Sequence, residues 1–259
     1  MSPKIHLDPV QNNQPVNVSS EDFPGQDFIY VIPEAIGSTG RHPSEGVALW
    51  GASRDSLMEP NWNQDEQGRW CFTWSKEDVL RYEVQASAAD DFLDVHIKLT
   101  NLSGVTWPES TAFSCFNFSR APMFADFDGE RTFLLIDNTW TPITQVPRKD
   151  SSRPTIQLWY VRGQKQPLGF VENFDATPEE PSAVEGVLAV RSWDGESVIA
   201  VSSDKPLFLF NNLEFSCVHC CPAFGALEPG QTGEAFHRAF IGKGLSLEGL
   251  EKRLRDLWA

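Results

Sequence analysis

The 259-residue sequence is short of cations. Lys and Arg total 21 against 36 Asp and Glu, a formal charge of −15. Nucleic-acid binding needs a basic surface that releases phosphate counterions, and this balance opposes it. The same deficit argues against binding to an anionic membrane surface. Long hydrophobic runs are missing too: no segment reaches the roughly 18 apolar residues that a membrane helix requires. Met1 is followed by Ser-Pro-Lys-Ile-His-Leu-Asp-Pro, with no apolar stretch of signal-peptide length, so a cytoplasmic location is expected. Tyrosine is scarce, 3 against 18 Phe and 9 Trp. Such an excess of other aromatics implies either a large core or surfaces that stack on flat ligands. The cysteines number five, which without a secretion signal argues for reduced thiols rather than a disulfide framework.

Several signatures are absent. No Gly-x-Ser-x-Gly nucleophile elbow occurs. Gly37-Ser-Thr-Gly40 is not followed by Lys-Ser/Thr, so it is no phosphate loop. Asp126-Phe-Asp128-Gly-Glu130 lacks the distal Glu of a calcium loop. No nucleotide-binding fingerprint appears, and no cofactor is expected.

What is present is period-two alternation. In Phe92–Thr100, Leu93, Val95, Ile97 and Leu99 share one face, and Asp94, His96, Lys98 and Thr100 the other. That is a half-buried antiparallel strand. In Thr155–Arg162, Ile156, Leu158 and Tyr160 oppose Gln157, Trp159 and Val161. Many such runs, separated by turns such as Asp128-Gly129 and Asp194-Gly195, indicate an all-β sandwich or barrel rather than βαβ units. One helix is expected at the C-terminus, with Ser246 as N-cap and Leu247, Leu250, Leu254 and Leu257 on one stripe. Residues 1–24 are polar and read as an irregular arm, residues 25–245 as one β domain, and residues 246–259 as a helix packed on it. Glu172–Pro181 reads as a long internal loop.

The densest candidate for chemistry is Glu214-Phe-Ser-Cys-Val-His-Cys-Cys-Pro222. On a strand, Cys217, His219 and Cys221 share a face, which invites a zinc site. Side chains at i and i+2 stand roughly 7 Å apart, wide for one ion, so buried thiols beside one histidine are the expected arrangement and no metal is assigned. His219, near a strand end, is a candidate general acid or base, with a satisfied core histidine as the alternative. Arg148 and Arg153 flank the run to Trp159 and suit a carboxylate or hydroxyl-rich ligand, or else pair with the abundant acids. Trp159 and Trp107 are candidates for stacking on sugar faces, with core packing as the other reading.

The C-terminal third carries Cys217-Val-His-Cys-Cys-Pro222, Phe224-Gly225, Leu227-Glu-Pro-Gly230 and His237-Arg-Ala-Phe-Ile241. With Val95-His-Ile-Lys-Leu-Thr-Asn-Leu-Ser103 upstream, this order resembles the galactose mutarotase-like sandwiches. The resemblance implies a large antiparallel super-sandwich with a sugar-binding concave face. The family's epimerases pair a His general acid with a Glu general base. Here Leu102 stands where that His follows Thr-Asn, and the strand expected to hold the Glu carries Cys217, Val218 and His219 instead.

The function expected is therefore a carbohydrate-active enzyme using acid/base chemistry on a small-molecule sugar. His219 would transfer the proton, Glu214 or Arg153 would assist, and Gln157 and Trp159 would position substrate. A non-catalytic carbohydrate-binding module and a metal-dependent β-barrel enzyme using His219 with His96 or His237 are the alternatives. Oligomeric state is not legible.

Overall fold

A computed structural model describes residues 3–38, 48–50, 58–146, 155–164 and 184–258. In chain order the first strands are β1 (Ile5–Pro9), β2 (Pro15–Ser20), β3 (Phe28–Ser38), β4 (Ala48–Trp50), β5 (Asn63–Gln64) and β6 (Trp70–Lys76). Next come β7 (Leu80–Ala88), β8 (Phe92–Asn101), β9 (Ser110–Asn117), β10 (Thr132–Ile136), β11 (Thr139–Pro142) and β12 (Ile156–Tyr160). The last are β13 (Val184–Arg191), β14 (Val198–Ser203), β15 (Pro206–Asn212), β16 (Cys217–Pro222) and β17 (Thr232–Gly242), followed by helix α1 (Leu247–Trp258).

The strands form two antiparallel sheets. One runs β1-β2-β3-β9-β16-β15-β12, with β4 also on β3; the other runs β11-β10-β13-β14-β17-β8-β7-β6-β5. Alternation decides which side chains fill the space between them. Tyr30, Phe116, Trp159, Leu209 and Val218 from the first sheet meet Tyr82, Val95, Ile97, Leu99 and Val201 from the second in one buried cluster. Of the sandwich and the barrel that the alternation pattern allows, this is the sandwich, as the family resemblance implies.

Each sheet also buries part of its outer face. On the nine-stranded sheet, Val187, Ala189, Val198, Ala200 and Phe240 pack against Leu250 and Leu254 of α1. Ser246 caps that helix, its Oγ accepting from the Gly249 amide at 3.1 Å. On the eight-stranded sheet, Phe113, Leu158, Tyr160, Phe208, Phe210 and Cys221 form a separate apolar cluster.

The N-terminal segment corrects the sequence reading. Residues 1–24 are not an irregular arm: β1 and β2 pair with each other, and β2 pairs with β3. The polar composition masks a short alternation in which Val16 and Val18 turn inward to 2% exposure each. Backbone pairing at the edge of β3 then supplies the hydrogen bonds that local sequence does not advertise. The Glu172–Pro181 loop lies outside the described residues, as do Arg148 and Arg153.

One glycine is fixed by close packing. A Cβ on Gly186 of β13 would stand 2.2 Å from Cγ of Pro206, a ring that cannot swing away. Both residues are half-buried, so Gly186→Ala is expected to lower stability by about 1 kcal/mol, the low end of the range for overpacking. Chemical denaturation that shows no shift in midpoint would contradict this contact.

Candidate active site

A cavity of about 530 Å³ opens on the outer face of the eight-stranded sheet, over β3, β9, β16 and β15. Its apolar walls include Ile29, Val31, Phe113, Ile156, Phe210 and Phe215. The polar groups lining it are Gln14, Glu34, Asn117, Asn212 and His219, with the thiols of Cys115 and Cys217. Pairing across the sheet explains the convergence. His219 on β16 sits opposite Cys115 on β9 and opposite Phe210 on β15.

Glu34 reaches the cavity through a break in register. From Val31 to Ala35, β3 advances four residues while β9 advances two, Cys115 to Phe113. Strict alternation from Val31 would send Glu34 between the sheets. The irregularity rotates it to the outer face, as bulges beside functional sites commonly do. Pro33 cannot donate to the ladder there, and its peptide with Ile32 is cis. Gln14, in the turn between β1 and β2, holds the bulge by donating from Nε2 to the Pro33 carbonyl at 2.8 Å.

His219 is 1% exposed and forms the cavity floor, whereas the Glu34 side chain is 48% exposed. His219 Nε2 lies 3.0 Å from Glu34 Oε2, and Nδ1 lies 3.3 Å from the Phe210 carbonyl. A carbonyl only accepts, so Nδ1 carries a proton; Nε2 faces a carboxylate. The Phe210 ring stacks on the imidazole, with centroids 3.5 Å apart and planes 12° from parallel.

Burial opposes an imidazolium at His219, but Cys217 and the Glu34 carboxylate outweigh it and hold its pKa above the ordinary value. Burial likewise favours neutral Glu34, and the bond from His219 with its charge outweighs that and lowers the Glu34 pKa. The two shifts agree on an ion pair, with both ring nitrogens donating. Beside it the Cys115 thiol bonds to Cys217, which raises the pKa of Cys115 and lowers that of Cys217.

Of the residues singled out from sequence, His219 lines the cavity. Glu214 does not: it is exposed in the turn between β15 and β16, and its amide donates to Asn212 Oδ1. Trp159 and Gln157 lie on β12 with their side chains on the inter-sheet side, Trp159 at 0% exposure. The face that looks toward the cavity carries Ile156 and Leu158 instead. Trp107 is also fully buried in the inter-sheet core. The proposed histidine partners are elsewhere as well. His96 is on the outer face of the nine-stranded sheet, 2.9 Å from Glu234 and stacked on Phe236. His237 lies between the sheets, hydrogen-bonded to the Tyr30 hydroxyl.

Glu34, Cys115 and Phe215 are the residues that sequence reasoning missed. A signal for Glu34 existed: a lone carboxylate directly after proline inside the apolar run Phe28–Ile36 marks a strand irregularity. Phe215 is 56% exposed at the cavity rim, held there by Asn117 Nδ2, which donates to its carbonyl at 3.0 Å. A second recess of about 610 Å³ lies between α1 and the nine-stranded sheet, lined by Leu135, Glu185, Asp204, Leu254 and Arg255 among others, with no histidine or cysteine among the described residues.

No protein-family model matches the sequence, and no curated protein matches it. Solved structures do. A galactose mutarotase related enzyme from Lactobacillus acidophilus superposes with a TM-score of 0.52 at 10% identity, covering 93% of this chain and 98% of that one. A galactose mutarotase-like protein from Lactobacillus casei gives 0.50 at 10% identity, covering 92% and 100%. The chain thus has the galactose mutarotase-like β-sandwich fold.

Proposed function

Starting from that fold, we propose that the chain is a carbohydrate-active enzyme whose cavity binds a monosaccharide and moves a proton on it. The observation that carries this reading is the Glu34–His219 contact of 3.0 Å, with the carboxylate open to the cavity and the imidazole sealed beneath it. The descriptions of the two Lactobacillus structures, as mutarotase-related and mutarotase-like, support a sugar as the occupant.

The burial difference assigns the roles. Glu34 is the group that can touch a ligand, so it takes and returns the proton. His219 acts through Glu34: its Nε2–H orients the carboxylate and its charge stabilises the ionised base. For anomer exchange, Glu34 removes the proton of the C1 hydroxyl as the ring C–O bond breaks, and the ring oxygen takes a proton from water. Closure on the opposite face of the carbonyl reverses both transfers: the attacking hydroxyl returns its proton to the hydroxide left from that water, and Glu34 gives its proton to the new C1 oxygen, which yields the other anomer. Phe215 and Phe113 offer apolar faces to the C–H side of the sugar.

Freshly dissolved α-glucose, α-galactose and their phosphates, followed by polarimetry and proton NMR, test the reading. Anomer exchange faster than in buffer is expected. Glu34→Gln should remove about 10²–10⁴-fold of the acceleration, and Glu214→Gln should leave it intact. His219→Gln should lower kcat with KM nearly unchanged, because it acts on Glu34 rather than on the sugar. If no sugar of the panel binds or turns over, the proposal is wrong. Binding without turnover leaves a carbohydrate-binding module, which the aromatic walls favour.

A further inference from the structure

We propose that Cys115, Cys217 and His219 form a binding site for zinc, or another soft d¹⁰ cation, at the cavity floor. One ligand atom from each lies within 4.8 Å of the other two, and all three residues are buried. Among the described residues they are the one cluster of three such donors. Cys115 and Cys217 are free thiols.

Sequence spacing alone argues against zinc, because Cys217, His219 and Cys221 sit along one strand. Pairing with β9 changes the set. Cys115 faces His219 across the sheet, so the third ligand comes from the neighbouring strand and Cys221 drops out. Two adjacent strands can close side chains on a point where one strand cannot. A tetrahedral ion has Zn–S of about 2.3 Å and Zn–N of about 2.0–2.1 Å, which puts ligand atoms roughly 3.5–3.8 Å apart. The observed limit of 4.8 Å exceeds that by about 1.0–1.3 Å, so small side-chain shifts would close the set on an ion. Two thiolates and one imidazole are a soft set that selects zinc or copper(I) over calcium or magnesium. Three protein ligands leave the fourth position for Glu34 or a small ligand in the cavity, the pattern of an open rather than a closed site.

The proposal does not depend on the sugar reading, although both use His219. A metal on the imidazole takes away the partner of Glu34, so loaded and metal-free protein would differ in turnover. The binding test needs no sugar, and the two readings therefore fail separately.

Reduced, metal-free protein is titrated with cobalt(II) and then with zinc. Expected are one cobalt per chain, a thiolate-to-cobalt charge-transfer band with intense tetrahedral d–d bands, and displacement of both by zinc. Cys115→Ser and Cys217→Ser should each lower the charge-transfer intensity, as one of two thiolates is lost, and weaken zinc binding beyond the about 10–100-fold that an outer-shell change costs. Cys221→Ser should change neither. Should a serine variant fail to fold, as circular dichroism will show, alkylation of the native chain decides: zinc must protect Cys115 and Cys217 by peptide mass mapping. Cobalt bound without thiolate absorption, or thiols alkylated equally with and without zinc, overturns the site. So does a Cys115–Cys217 disulfide that forms on oxidation at the same rate with and without zinc.

Discussion

Stability is expected to fall steeply as the pH drops below about 6.5, and His237 is the main single cause. This histidine is fully buried between the sheets, with Nδ1 against the Tyr30 hydroxyl. The titratable groups around it are Tyr30, Tyr82, Cys220 and, on the far side of β16, His219. Burial pushes its pKa down from 6.5 to about 3. A lowered histidine favours the neutral form in the folded state. The unfolded chain therefore takes up a proton below pH 6.5 that the folded chain refuses until about pH 3. The contribution of His237 is fully present above pH 6.5 and declines at about 1.4 kcal/mol per pH unit below it. The deficit at pH 4.5 is about 2–3 kcal/mol from this residue alone. His237→Gln removes the titration and should flatten the difference between denaturation midpoints at pH 7.5 and 4.5 by that amount. An equal slope in variant and native protein would show that His237 protonates freely in the fold.

The second large effect separates packing from binding among the aromatics. Trp159→Ala is expected to cost about 3–5 kcal/mol, the range for deleting a large core aromatic, and to lower the melting temperature by about 6–20 °C. Trp159 is at 0% exposure against Leu209 and the facing sheet. Phe215→Ala, by contrast, should change stability by no more than about 0.5 kcal/mol, as for an exposed residue. It should weaken sugar binding several-fold, in line with about 0.5–1.5 kcal/mol per stacked aromatic. Calorimetry and ligand titration on the same two variants read both quantities. If Trp159→Ala weakens binding at constant stability, the side chain does not face the core.

These two residues also show where local sequence stops being informative. Alternation in Thr155–Arg162 divides Trp159 and Gln157 from Leu158 and Tyr160 correctly, but it does not say which side faces a cavity and which a second sheet. Stacking of Trp159 on a sugar requires that its side face the cavity, and the other sheet occupies that side. Likewise His96, His219 and His237 all read as strand histidines. Only the packing puts one on an outer face, one on a cavity floor and one between the sheets.

The sequence by itself determined an all-β chain of alternating strands, the inward set of strands such as Phe92–Asn101, and the C-terminal helix with its Ser246 cap. These follow from side-chain period and from capping chemistry, which act over a few residues. It also singled out His219. Tertiary structure decided that residue's partners. Glu34 is 185 positions away and arrives through a bulge whose register depends on β9 and on Gln14. Cys115 joins Cys217 and His219 because β9 and β16 are neighbours although distant in the chain. Strand order and register are fixed by the summed burial of two whole sheets, so no local pattern records which strand will lie beside which.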